Sequence, residues 1–257
     1  MKQKSRLDKL VVSRGLAPSR EKAQAYIITG NVLVNEQKIV KPGVLVQDNA
    51  SVRLIGVDHP YVSRGGLKLE KALKEFHIEI QHQIAMDIGS STGGFTDCLL
   101  QHGAAYVFSI DVGYGQLDWK LVTDDRVQNM EKRNFRYLEL ADVGSFVDFI
   151  AIDVSFISLT KILPNCLNFL RSGGNLVALI KPQFEAGKEN ICKGGIVKDP
   201  KVREKVIDTI RQFAESLSFE VRQVQPSPIQ GKKSGNVEYL IHLTKPILPD
   251  LDIQSHP

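Results

Sequence analysis

Cysteine is scarce in this chain of 257 residues: Cys98, Cys166 and Cys192 form an odd, widely scattered set. That excludes a disulfide framework and a cysteine-based metal knuckle, and the six histidines show no ligand spacing, so no metal is expected. No apolar run approaches the ~18 residues of a membrane span, and no signal peptide opens the sequence. A reducing, cytoplasmic compartment without membrane association is therefore expected. There is also no P-loop Gly-Lys-Ser/Thr and no G-x-G-x-x-G dinucleotide pattern. Net charge is only +4, but residues 1–22 gather Lys2, Lys4, Arg6, Lys9, Arg14, Arg20 and Lys22 against Asp8 and Glu21 alone.

What is present instead is a different glycine loop. Asp87-Ile88-Gly89-Ser90-Ser91-Thr92-Gly93-Gly94-Phe95 follows an apolar run and precedes a helical one. A strand would deliver Asp87 to its carboxyl end, and the glycines would let the backbone turn tightly against a ligand. A second apolar run, residues 105–110, ends in Asp111, where a carboxylate can accept both hydroxyls of a ribose. A loop after one strand and an acid after the next suit S-adenosylmethionine. An ordinary strand-to-helix turn would also account for the loop alone.

The chain reads as two modules. Residues 1–57 predict two short helices over a small sheet: Leu7, Leu10 and Val11 run to a stop at Gly15, and Ser19 caps a helix carrying Ala23, Tyr26 and Ile27 to Gly30. Val32 and Val34 alternate into the turn Asn35-Glu36. Residues 58–62, around His59-Pro60, read as a linker. From residue 63 an amphipathic helix over 65–76 leads into alternating strands and helices. Strands are expected at 84–88, 105–110, 146–152 and 175–180, and helices at 95–102, 158–170 and 199–217. Residues 219–224 and 237–243 would close the sheet as an antiparallel pair. This is a doubly wound α/β sheet with helices on both faces, whose ligands belong at the carboxyl ends of the strands. Asp87, Asp153 and Lys181 end strands on that edge. A strand-end aspartate is often only a helix cap, but an ammonium after so apolar a strand is costly unless paired or exposed in a cleft, and Asp153 is its natural partner. After Asp153 comes Val154-Ser155-Phe156, without the two prolines that base amino-methylation uses. Cys166 is poorly placed as a nucleophile for cytosine C5. Both departures point to an oxygen as the acceptor.

Two resemblances follow from these motifs. Arg6-Leu7-Asp8, Gly15, Ser19-Arg20, Ala23, Ile27, Gly30, Val32 and Val34-Asn35 resemble the small α+β RNA-binding module named after ribosomal protein S-four. It implies phosphate contacts from Arg6, Lys9, Arg14, Ser19, Arg20 and Lys22, against the plain alternative of a solvated basic face. Arg6-Leu7-Asp8 also resembles a pseudouridine-synthase catalytic segment, which its place inside the binding module disfavours. Ser63-Arg64-Gly65-Gly66-Leu67-Lys68-Leu69, the glycine loop, Asp111 to Leu117, Asp153 to Leu159, Lys181-Pro182-Gln183-Phe184-Glu185 and Ser234-Gly235-Asn236-Val237-Glu238-Tyr239 resemble the TlyA family. Those are ribosomal RNA 2'-O-methyltransferases, often labelled hemolysins, with an FtsJ-like catalytic domain.

The resemblance implies a Rossmann-like class I methyltransferase sheet over residues 63–257 and a Lys-Asp-Lys-Glu tetrad at Lys68, Asp153, Lys181 and Glu238. It implies ribosomal RNA or ribosomal subunits as partner, cytidine ribose as target, and Arg64 as an RNA contact. S-adenosylmethionine would lie against Asp87, Gly89, Ser90, Ser91, Thr92, Gly93, Gly94 and Phe95. Asp111 would take its ribose, and Asn129, Met130 and Glu131, after a third strand, its adenine. Lys181 is the candidate base. An ordinary lysine pKa of ~10.4 makes a poor base at neutral pH; like charge and burial lower it, carboxylates raise it, and the sequence leaves the balance open. A loop with Lys188, Lys193 and Lys198 could fold over RNA or simply be solvated. Alternatives are a non-catalytic RNA-binding factor and a membrane-lytic hemolysin; the sequence leaves oligomeric state open.

Overall fold

Two separately packed units divide the chain, Met1–Pro60 and Tyr61–Pro257. The structure, a computed structural model, describes residues 4–55, 59–229 and 236–247. Ser234 and Gly235 of the last motif lie outside the described residues. Tyr61 and Val62, expected as linker, belong to the second unit. The Tyr61 hydroxyl donates to Glu70 (2.8 Å), and the Val62 N–H donates to the Asp97 carboxylate (2.8 Å).

In the first unit, β1 (Lys4–Arg6) runs into α1 (Leu7–Ser13), and α2 (Arg20–Ile28) is capped by Ser19, whose side chain accepts from the Lys22 N–H. β2 (Val32–Val34) and β3 (Gln37–Lys38) form a hairpin on Asn35 and Glu36. Both residues have positive φ (48° and 65°), the turn geometry that matches strand twist. β4 (Leu45–Gln47) pairs with β1 and β5 (Val52–Leu54) with β2. The expected single small sheet is therefore two, β1–β4 and β3–β2–β5. Leu7, Val11, Ala23, Ile27 and Val32 are fully buried between helices and strands.

The second unit opens with α3 (Gly65–Glu75), then β6 (Ile84–Ile88), α4 (Gly94–Gln101), β7 (Tyr106–Ile110), α5 (Trp119–Val122) and β8 (Val127–Met130). α6 (Leu140–Val143), β9 (Val147–Ile152), α7 (Leu163–Cys166) and β10 (Leu170–Ile180) follow. The chain continues through α8 (Pro182–Glu185), α9 (Pro200–Ser216), β11 (Glu220–Pro226) and β12 (Tyr239–Thr244). The sheet order is β11-β12-β10-β9-β6-β7-β8, with β12 antiparallel to both its neighbours and the remaining pairs parallel. From β6 the chain winds outward to β8, then crosses back to β9 and β10. The order reverses between β6 and β9, which is where a doubly wound sheet opens a ligand crevice.

Strand side chains alternate between two cores. Met86, Ile88, Ile150, Ile152 and Ala178 pack against Val206, Ile210 and Ala214 of α9. Ala85, Phe149, Ala151, Val177 and Leu179 pack against Leu69 and Leu73 of α3 and Cys98 and Leu99 of α4. One expected helix is absent. Residues 158–170 form a 3₁₀ turn (Leu159–Lys161), the short α7 and then the start of β10. Pro164 fits only the first turn of a helix, and the Asn165 amide donates to the carbonyls of Phe135 and Leu138. β10 correspondingly begins five residues before the expected Asn175, through an irregular register with β9.

α3 sits on Tyr61 with no room to spare. A Cβ on Gly66 would lie 2.3 Å from the Tyr61 ring carbon Cγ. Gly66→Ala should therefore lower unfolding free energy in urea by ~1–3 kcal/mol, the cost of overpacking. Unchanged stability would show that Tyr61 can leave this position freely.

Candidate active site

The β6–α4 turn builds a cradle at the switch point. Gly89 and Gly93 have φ of 84° and 91°. A Cβ at Gly89 would lie 2.8 Å from the Asp153 carbonyl oxygen, and one at Gly93 would lie 2.2 Å from Leu121 Cδ1. A Cβ at Gly94 would meet Ser63 Oγ at 2.3 Å and the Gly66 nitrogen at 2.9 Å. Only glycine lets these three segments close together. The result is a cleft of about 370 Å³ lined by Ser63, Arg64, Lys68, Asp87, the loop from Gly89 to Thr92, Asp153, Ser155, Lys181 and Glu238, among others. Phe95 contributes to its wall but is otherwise a core residue.

Asp87 is fully buried against this cleft. Its Oδ2 accepts from the Thr96 N–H (2.9 Å) and hydroxyl (2.7 Å), while its Oδ1 is buried without a partner. Burial pushes its pKa up to about 7; the Thr96 hydrogen bonds oppose the rise and the negative charge of Asp153 adds to it. An orphaned carboxylate oxygen facing a cleft suits a cationic group, such as the ammonium of an amino-acid moiety. Asp111 lies at the rim rather than in the wall. Its two oxygens accept from the N–H groups of Ser91 (2.8 Å) and Gly113 (2.7 Å), fixing the cradle's edge. Asn129, Met130 and Glu131 lie outside the cleft wall. The Met130 side chain is in the core, and the Glu131 carboxylate accepts from the Gln116 N–H (3.2 Å).

The four charged side chains expected together do come together, in alternating sign. Lys68 Nζ lies 2.6 Å from Glu238 Oε2 and 3.5 Å from Asp153 Oδ2, and Lys181 Nζ lies 2.5 Å from Asp153 Oδ1. The last contact is an ion pair out of line for a hydrogen bond, because Asp153 Oδ1 has no aligned donor. Lys181 Nζ instead donates to Ser155 Oγ at 3.0 Å. Burial would raise the Asp153 pKa, but Lys181 and Lys68 outweigh it and hold the carboxylate below its ordinary value. Each residue arrives from a different element: Lys68 from α3, Asp153 from the end of β9, Lys181 from the end of β10 and Glu238 from just before β12.

Several residues here escaped the sequence reading. Ser155 was only part of a motif, yet it is the hydrogen-bond partner of Lys181. Glu185 accepts from the Ser158 hydroxyl (2.5 Å) and the Leu159 N–H (2.8 Å), tying the segment after Lys181 to the segment after Asp153. Asn236 is buried and holds the lysine loop, donating to the Gly195 carbonyl (2.7 Å) and accepting from the Val197 N–H (3.0 Å). Phe156 is 90% exposed at a φ of 64°, with its ring centroid 5.0 Å from that of Phe184.

In the first unit, the basic residues are held by a buried acid. Asp8 accepts from Arg6 Nε (3.1 Å) and Nη2 (2.9 Å), Arg20 Nε (3.0 Å) and Gln24 Nε2 (2.9 Å). Hydrogen bonding from Arg6 above all, against the cost of burial, holds the Asp8 carboxyl far below the usual carboxylate range. Arg14 donates to the carbonyls of Ala50 (2.7 Å) and Asp48 (2.5 Å), and Ser19 caps α2. Lys9 is exposed, and Lys22 Nζ lies 5.8 Å from the Tyr26 ring centroid. Arg64 is exposed beside the cleft of the second unit.

The raised Asp87 pKa makes stability pH-dependent in a definite direction. Between its unfolded value of ~3.9 and about 7 the folded state binds the extra proton, so this group's contribution declines as pH rises through that window. Asp87→Asn should therefore gain stability relative to the parent protein from pH 4 to 7, checked by urea denaturation at each pH. A constant difference between the two proteins would show that Asp87 titrates normally.

With this geometry established, comparison with known proteins adds the family. Residues 61–245 match the FtsJ-like methyltransferase family and residues 5–52 match the S4 domain. YqxC of Bacillus subtilis is 49% identical over 95% of this chain and 87% of its own length. The 16S/23S rRNA (cytidine-2'-O)-methyltransferase TlyA of Mycobacterium tuberculosis is 40% identical over 95% of this chain and 91% of its own. A solved structure of a hemolysin-named protein from Streptococcus thermophilus is 46% identical, covers 99% of this chain and 93% of its own, and superposes with a TM-score of 0.75. The chain belongs to the TlyA family of FtsJ-like methyltransferases, with an S4 domain before a domain that uses S-adenosylmethionine.

Proposed function

We propose that this protein transfers a methyl group to a ribose 2'-oxygen of ribosomal RNA, with cytidine as the target nucleotide. The observation that carries the reading is the chain of alternating charge, Glu238–Lys68–Asp153–Lys181, in the wall of the glycine-loop cleft. S-adenosylmethionine, when bound, supplies an electrophilic methyl group on a sulfonium. Asp87 would take its ammonium group and the backbone from Gly89 to Thr92 its amino-acid portion. Asp111 would meet its ribose and the segment Asn129–Glu131 its adenine. The orphaned Asp87 oxygen supports this orientation.

A 2'-hydroxyl is a weak nucleophile until its proton leaves. Lys181 Nζ would receive that proton as the oxygen–methyl bond forms. Asp153 and Ser155 fix the amine's direction from two sides. Lys68, held by Glu238 and Asp153, adds positive charge beside the developing alkoxide. Orientation of hydroxyl and methyl within a closed cleft can contribute ~7–11 kcal/mol toward such a reaction. The exposed Phe156 ring would stack on the base of the target nucleotide, and a bulky residue held at positive φ is a form of strain found at functional sites.

The S4 domain would supply affinity through phosphates. Arg6 and Arg20 are about half exposed, and each has N–H donors beyond those on Asp8. Because the substrate would be ribosomal RNA, the place of action would be the cytoplasm. Among the described residues no helix is long and apolar enough to cross a membrane, and no group of His, Cys, Asp or Glu could hold a metal.

Two measurements test the reading. Lys181→Ala should abolish methyl transfer to ribosomal RNA while leaving S-adenosylmethionine affinity, by calorimetry, unchanged. The parent's product should be a 2'-O-methylated cytidine that resists alkaline cleavage, since its oxygen can no longer attack the adjacent phosphate. A methyl group on a base carbon or nitrogen would overturn the assignment. For the S4 domain, Arg20→Gln leaves Asp8 with Arg6 and Gln24, so the fold should persist. RNA affinity should fall and the salt slope should flatten by ~0.7–0.9 for one lost phosphate contact. An unaltered slope would make Arg20 a purely structural partner of Asp8.

A further inference from the structure

At the carboxyl ends of β7 and β8, outside the cleft, the second unit exposes aromatic rings that its core does not explain. Tyr114 is 72% exposed, Trp119 75% and Tyr137 73%. Two of them carry a cation on the ring. Lys132 Nζ lies 4.1 Å from the Tyr114 centroid, and the Arg136 guanidinium carbon lies 5.0 Å from the Tyr137 centroid. The backbone fixes the arrangement. The Lys132 N–H donates to the Gly113 carbonyl (2.9 Å) and the Arg133 N–H to the Asp111 carbonyl (3.0 Å), stapling the loop after β7 to the loop after β8. Lys132 adopts a φ of 56° to do so, a conformation that a residue with a side chain takes only under constraint. Tyr137 follows five residues later, so the pairs lie within ~17 Å of each other by chain length alone.

The charge pattern selects the occupant. Lys132, Arg133 and Arg136 are exposed and have no carboxylate ion-pair partner among the described residues. By contrast, nearby Lys120 and Arg126 are paired, with Asp97 (2.9 Å) and Asp124 (2.8 Å). Exposed rings each accompanied by an uncompensated cation match a polyanion that carries flat aromatic groups. A base can stack on the ring while its phosphate meets the cation, and such stacking is tolerant of sequence. A protein partner would need apolar pockets or acidic segments, and this edge offers a ring-and-cation row instead.

We propose that this edge, formed by Tyr114, Trp119, Lys132, Arg136 and Tyr137, is a second RNA-contact surface that takes unpaired bases of the substrate RNA. It rests on the ribosomal RNA reading above and adds a contact that belongs to neither the S4 domain nor the cleft.

Trp119 is the sole tryptophan of the chain and so reports on this edge directly. Titrating the full-length protein with an unlabelled single-stranded RNA oligomer should quench its emission saturably. Tyr114→Ala and Tyr137→Ala should each weaken RNA affinity about tenfold with the salt slope unchanged. Lys132→Gln combined with Arg136→Gln should flatten that slope. S-adenosylmethionine affinity should be unaltered in all four substitutions, and rings so exposed can be removed without disturbing the core. RNA binding by the parent with no change in Trp119 emission, or unaltered affinity in both tyrosine variants, would overturn the proposal. So would parallel loss of S-adenosylmethionine affinity, since the rings would then wall the adenine. Any of these alongside intact methylation of ribosomal RNA overturns this surface alone; absence of methylation by the parent overturns the underlying reading.

Discussion

Everything at the head of the cleft depends on one carboxylate, Asp153, which stands between two ammonium groups. Lys181 is 7% exposed, and a charge so far from water is costly unless a counter-charge is close. Asp153 serves both lysines, one on each oxygen, and Glu238 meets the further demand of Lys68. The arrangement neutralises itself pair by pair, so no single member can be removed without leaving a buried charge uncompensated. That is why a set drawn from four distant parts of the sequence behaves as one object. It also fixes which lysine is available for chemistry. Lys68 is gripped by two carboxylates, whereas Lys181 has one carboxylate and a hydroxyl.

The S4 domain uses the same device with a different outcome. There the buried acid is Asp8, and the cations it holds are guanidinium groups about half exposed to water. A guanidinium has five donors in a rigid fork, so a carboxylate can hold one edge while the other stays free. An ammonium gripped by two carboxylates has no such spare face. A buried aspartate therefore preorganises arginines for an external phosphate in one unit and immobilises lysines for proton chemistry in the other. The choice of cation, rather than of acid, separates a binding surface from a reactive site.

Much of this was legible in sequence because it is local or periodic. Period-two strands, the amphipathic α3 and α9, the Ser19 cap and the glycine loop each follow from the spacing of neighbours. The strand-end positions of Asp87, Asp153 and Lys181 followed from the same periodicity, and the tetrad from family resemblance. What escaped depends on which atoms face each other across long sequence separations. That Arg14 turns inward to the carbonyls of Ala50 and Asp48 cannot be read from a run of basic residues. Nor can the 3₁₀ turn in place of a helix after Ser158, which hinges on Asn165 finding carbonyls some thirty residues earlier. Glu185 looked like the last letter of a motif, although it ties two active-site segments together.

That tie gives the site its stiffness. The loops after β9 and β10 each begin with a charged residue of the cleft, Asp153 and Lys181, and each carries an aromatic ring, Phe156 and Phe184. Glu185 accepts two hydrogen bonds from the first loop while standing at the end of α8 in the second. Burial raises the pKa of this carboxyl, and the bonds from Ser158 and Leu159 work against the rise. Positive φ at an exposed phenylalanine costs ~1–3 kcal/mol, which burial of the ring does not recover. The segment must then be held by its other contacts, and Glu185 provides the two polar ones. Anchoring both loops to each other, rather than each to the core, keeps the spacing of Asp153, Ser155 and Lys181 constant even if the pair moves together. A proton-transfer site needs that relative constancy more than it needs a fixed position in the fold.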